Sequence, residues 1–112
     1  MDNIKDNAYY IKKIVTDLTF ILDHTQGLSK TELEDNEILI DSVMFRLIQV
    51  SENSDKLTAE FKEYYKNIPW RAIKGMRNRI VHEYGNVDLA VVYDTVVNDI
   101  PDLLASLQEI TL

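Results

Sequence analysis

Arg77, Asn78, Arg79, His82 and Tyr84 fall within eight consecutive residues, "RNRIVHEY". Histidine titrates near neutrality and serves as a general acid or base. Arginine offers a planar fork of donors that fits phosphate oxygens. One metal-free reaction uses these groups together. RNA carries its own nucleophile, the 2′-hydroxyl. Cleavage then needs a base for that proton, an acid for the leaving 5′-oxygen and a cation for the phosphoryl oxygens.

The surrounding charge sharpens this reading. The 112-residue chain is acidic, with a formal net charge of −7, which by itself argues against nucleic-acid binding. Yet Arg71, Lys74, Arg77 and Arg79 place four positive charges in nine residues with no acid among them. From Ile80 onward there are six acids and no lysine or arginine. Positive charge is therefore concentrated beside the motif. A cationic cluster near a helix end also suits the helix dipole, so a purely structural role for it stays open.

The elements that must position these residues read as helices. Three glycines and two prolines are few for a turn-rich sandwich or barrel. The length suits one domain, spanning residues 1–112. The absence of cysteine removes disulfides and thiolate chemistry and suits a reducing cytoplasm. No basic leader precedes an apolar run, and no apolar stretch approaches the roughly 20 residues that span a bilayer.

A first helix is expected over about 2–24, with Asp2 as N-cap and Ile4, Ala8, Ile11, Val15, Leu18 and Leu22 as its apolar stripe. Gly27 ends it. A second helix starts within "SKTELEDNE" and runs to about Leu57, burying Ile40, Val43, Met44, Leu47, Ile48 and Val50. Its late "SENSD" contains weak helix formers that a polar contact would explain. Thr58, Phe61, Tyr64 and Tyr65 suggest a short helix. The motif helix is expected from Pro69 or Trp70 to His82, on Ile73, Met76, Ile80 and Val81. Asp88 then caps a last helix on Leu89, Val92, Val96 and Ile100, which Pro101 kinks or restarts. The expected fold is all-α, an up-and-down bundle of four to five antiparallel helices.

On such a helix Asn78 and His82, four apart, share a face, so Asn78 could orient the imidazole. Arg77 and His82 are five apart, or about 140° around the axis. They converge only if the helix ends near His82 or if a second chain supplies its own copy. A two-fold dimer would pair two copies of His82 as acid and base.

The segment "IPWRAIKGMRNRIVHEYGNVDLAVVYDTVVNDIPDLLASL" resembles the HepT family of bacterial and archaeal toxins, within the HEPN superfamily. The superfamily signature is an arginine, four to six residues and a histidine, often with a polar residue after the arginine. Here it reads Arg77, Asn78, three residues, His82, and Tyr84 matches the tyrosine that HepT proteins add. The resemblance implies a homodimeric helical bundle with both motifs at the interface and metal-independent endoribonuclease activity without a cofactor. Arg77 and His82 would be catalytic, and Asn78 would support them. It implies a nucleotidyltransferase partner of the MNT type, and Tyr84 as acceptor of AMP from it. Adenylate there would place negative charge and bulk where RNA phosphates must sit. It implies neither a membrane nor a DNA partner.

Where the family often has Gly-Glu-Ala, this chain has Ser51, Glu52 and Asn53. Glu52 reads either as a supporting catalytic group or as a structural partner of Arg77 or Arg79. Arg71, Lys74 and Arg79 are further candidates for RNA phosphate contacts. The alternative function is a non-catalytic nucleotide- or substrate-binding subunit that accompanies a nucleotidyltransferase. His24 carries no assigned chemistry, and Trp70 is expected to anchor the motif helix.

Overall fold

The structure, a computed structural model, describes residues 6–82 and 85–111. The helical rods appear where the apolar period of the sequence places them. Helix α1 spans Asn7–Thr25, and the Asp6 carboxylate accepts the Tyr9 N–H at its start. The expected cap, Asp2, lies outside the described residues. Ile11, Ile14, Leu18 and Ile21 form the buried stripe, while Val15 and Leu22 are half-buried. Ile11 and Leu18 are thus buried as expected, while Ile14 and Ile21 take the buried places expected of Val15 and Leu22. Gly27, at φ 80°, turns the chain after the helix.

The expected second helix is two. Helix α2, Lys30–Asp35, begins with a reciprocal capping box between Ser29 and Glu32. Asn36 then breaks the run, because its side chain accepts the Leu39 N–H and caps α3, Glu37–Asp55. Val43, Leu47 and Val50 of α3 are fully buried. Helices α1 and α3 run antiparallel. The start of α1 meets the chain beyond the end of α3 through two hydrogen bonds between Asn7 and Thr58. Halfway along, Arg46 reaches Asp17 at 2.7 Å.

Helix α4, Ala59–Tyr64, is the short helix expected after Thr58, whose hydroxyl caps it. Helix α5, Trp70–Ile80, carries the basic cluster. A two-stranded antiparallel ladder follows, β1 (Val81–His82) with β2 (Asn86–Val87). Asp88 caps α6, Leu89–Asp94, by accepting the Val91 N–H, as expected.

A π-helical turn, Thr95–Asp99, joins α6 to α7, Ile100–Gln108. Pro101 is its physical cause. Proline has no N–H to donate, and its ring crowds the carbonyl four residues back, here Val97. Widening the turn, with the Ile100 N–H on the Thr95 carbonyl, absorbs that conflict within one rod. The end of α1 lies beside the start of α7, and Arg79 at the end of α5 meets Asp99 just before it. Helix α7 therefore runs antiparallel to both. Among the described residues the architecture is a mostly helical bundle of four principal rods, α1, α3, α5 and α6–α7, with two short helices and one small hairpin.

Candidate functional site

Helix α5 divides its sequence cleanly. Ile73, Met76 and Ile80 are buried, and Arg71, Lys74, Arg77, Asn78 and Arg79 are exposed. Two features fix it in place. At its start the Trp70 indole N–H donates to the carbonyls of Lys62 and Tyr65, at 3.1 and 3.0 Å, which makes Trp70 the expected anchor. Midway, the Ser51 hydroxyl of α3 donates to the Lys74 carbonyl at 3.0 Å. This is the polar contact that "SENSD" called for. Ser51→Ala lowers unfolding free energy by about 1 kcal/mol, read from the urea midpoint, because the helix already supplies that carbonyl with one partner.

The helix ends at Ile80, two residues before the expected His82. Val81 takes extended angles (φ −100°, ψ 118°), and the Asp88 N–H donates to the Ile80 carbonyl at 2.9 Å. The ladder pairs Val81 with Val87 and His82 with Asn86. Gly85, at φ 94°, turns the chain between the strands in a conformation that only glycine adopts without strain. Strand alternation then sends Val81 toward the core and His82 to solvent, with its side chain 56% exposed.

The end of the helix at Ile80 removes the shared helical face on which the expected placement of Asn78 beside His82 rested. Once β1 replaces the last helical turn, the four-residue spacing no longer puts Asn78 and His82 on one face. The Asn78 side-chain oxygen instead accepts from Arg77 Nη1 at 3.4 Å. The group that faces the imidazole is Asp88, whose Oδ2 lies 3.4 Å from His82 Nε2. Sequence reasoning found Asp88 only as a helix cap. The "YGNV" turn was the available signal, since a tight hairpin there folds the residue after Val87 back beside β1.

The other cations separate. Arg79 pairs with Asp99 at 3.7 Å, with both side chains about half exposed, so the pair is weak. Arg71 and Arg79 line a groove of about 790 Å³ between α5 and α7, floored by Ile73, Met76, Ile100 and Leu103. Arg77 stands about 160° around the helix from Arg79 and does not line that groove. Lys74 does not line it either. Glu52 is exposed on α3, and Tyr84 lies outside the described residues. Among the described residues no three His, Cys, Asp or Glu side chains gather as metal ligands, and no helix is long and apolar enough to cross a membrane.

An arginine on the last turn of one helix, followed by a histidine on the hairpin that leaves it, gives this helical-bundle protein an end where both side chains are exposed. The family model described as "Ribonuclease HepT-like" matches residues 13–110, and the chain belongs to that family. It is 28% identical to "Putative RNase TTE0752" of Caldanaerobacter subterraneus subsp. tengcongensis over 90% of either chain. It is 27% identical to "Probable ribonuclease HepT" of Thermococcus cleftensis, over 90% of this chain and 92% of that one. With "Gamma-glutamylcyclotransferase and putative RNase MJ0434" of Methanocaldococcus jannaschii it shares 30% identity over 88% of its own length but 45% of the longer protein. No solved structure matches.

Proposed function

We propose that this protein is a metal-independent endoribonuclease that acts as a two-fold dimer, the toxin of a pair whose other member is an MNT-type nucleotidyltransferase. The observation that carries this reading is the placement of Arg77 and His82. One stands on the last turn of α5 and the other two residues beyond it, both open to solvent. Each chain brings one such histidine, and two-fold pairing brings two.

The chemistry follows from the residue types. One His82 takes the proton from the RNA 2′-hydroxyl as the 2′-oxygen bonds to phosphorus. The bond from phosphorus to the 5′-oxygen breaks, and the protonated His82 of the second copy gives that oxygen its proton. The products are a 2′,3′-cyclic phosphate and a 5′-hydroxyl. Arg77 stabilises the charge on the phosphoryl oxygens. Lys74, Arg71 and Arg79 serve as outlying phosphate contacts, and Glu52 as a supporting group. Using the 2′-hydroxyl as nucleophile selects RNA over DNA. Transfer of AMP to Tyr84 would silence the site by adding phosphate charge two residues from His82. The setting is cytoplasmic.

The test is cleavage of single-stranded RNA in EDTA with end-group analysis. Fragments ending in 2′,3′-cyclic phosphate are expected. Products with 3′-hydroxyl ends, or cleavage that requires an added divalent cation, would overturn the mechanism. The acidic charge favours a second reading, a binding subunit for the nucleotidyltransferase. Growth arrest on expression, relieved by that partner, selects the toxin. Partner binding without arrest selects the subunit.

A further inference from the structure

We infer that Asp88 is the positioning residue of His82: it holds the ring through Nε2, so that Nδ1 is the nitrogen presented to the substrate. This rests on the reading of His82 as the acid–base group.

Asp88 is tied at two points besides its contact with His82. Its N–H donates to the Ile80 carbonyl at 2.9 Å, which ties it to the end of α5. Its Oδ1 accepts the Val91 N–H at 3.1 Å, which ties it to the first turn of α6. Only Oδ2 remains, and it faces His82 Nε2 at 3.4 Å. A carboxylate whose other oxygen is occupied by a helix cap cannot rotate away without giving up the cap. It is therefore a rigid acceptor beside an otherwise exposed ring.

An ionised carboxylate offers acceptors and no donor. The neutral imidazole beside it keeps its proton on the nearer nitrogen, Nε2, and leaves the Nδ1 lone pair free. When Nδ1 takes the proton from the RNA 2′-hydroxyl, the same carboxylate stabilises the resulting imidazolium. The contact is longer than an ideal hydrogen bond, as catalytic contacts often are before substrate tightens them.

His24 gives an internal reference. Its Nδ1 lies 2.8 Å from the Phe20 carbonyl, which can only accept, so Nδ1 must carry the proton. The two histidines of the chain are therefore opposite tautomers.

Asp88→Asn separates this role from capping. Asparagine caps a helix about as well as aspartate. With its oxygen kept on the Val91 N–H, its amide N–H would point at His82 and force Nε2 to become an acceptor. Asp88→Ser also keeps a cap but is too short to reach the ring. The experiment records ¹⁵N spectra of the histidines in their neutral form, with His24→Gln for assignment, and kcat and KM for RNA.

Wild type is expected to show His82 as the Nε2–H tautomer. Asp88→Asn is expected to switch it to Nδ1–H and to lower kcat about 100-fold or more with KM changed less than threefold. Asp88→Ser is expected to lose less activity than Asp88→Asn, the reverse of the order that similarity of shape would give. An unchanged His82 tautomer in Asp88→Asn, or a kcat within twofold of wild type, would overturn the assignment. The spectra need no RNA. A tautomer switch with no cleavage by any form would sink the ribonuclease reading and leave the Asp88 contact standing.

Discussion

Arg46→Ala lowers the unfolding free energy by about 3 kcal/mol and the melting temperature by roughly 10 °C. The cause lies in Asp17, which sits within the apolar stripe of α1. Its side chain is 6% exposed and that of Arg46 is 29% exposed, with 2.7 Å between Oδ1 and Nη1. Asp17 Oδ2 is buried without a hydrogen-bond partner among the described residues. Removing the guanidinium leaves a buried carboxylate with no counter-charge, which costs far more than the loss of a surface bridge. The guanidinium also covers the Phe20 ring, 4.0 Å from its centroid, so stacking is lost as well. Asp17→Leu combined with Arg46→Met is expected to recover most of the loss, since it removes the charge and fills the space. Thermal melts of the single and double variants check both statements. A single-variant loss under 1 kcal/mol would mean that water reaches Asp17 and the pair is a surface contact.

His82→Ala is expected to lower RNA cleavage by about 10³-fold, the usual contribution of a positioned acid or base. The ring is exposed, so stability should move by no more than about 0.5 kcal/mol, and circular dichroism should be unchanged. This separates a chemical loss from a folding loss. The magnitude is large because, in the proposed two-fold site, one His82 is the base and the His82 of the second copy is the acid. One substitution in a homodimer therefore removes both. Arg77→Lys is the informative companion. It keeps the charge and loses the planar fork, so a clear fall in rate would mean that the geometry of the guanidinium matters as well as its charge.

The apolar period made the rods legible, because burial of one face leaves a three-and-four spacing that no other element shares. Asp88 as a cap and Gly27 as a stop were legible for similarly local reasons. The interruption at Asn36 was harder to see. Its side chain can cap a new helix as readily as it can sit inside an old one, and only the geometry of the Leu39 contact decides. The end of α5 was misplaced for a tertiary reason. Val81 fits a helix by spacing, but its pairing with Val87 favours a strand, and one turn of helix is exchanged for a hairpin. That exchange moved His82 from the neighbourhood of Asn78 to that of Asp88. The Asp17–Arg46 pair was invisible because it joins residues on separate helices, and a polar residue in an apolar stripe does not reveal its partner.

The most direct measurement of the proposed two-fold site is RNA cleavage in EDTA by three purified forms: wild type, His82→Ala, and a mixed dimer with one chain of each, isolated through two different tags. A site shared by two copies predicts that the mixed dimer is nearly as inactive as the His82→Ala homodimer. Half the wild-type rate in the mixed dimer, or equal cleavage by all three, would contradict it.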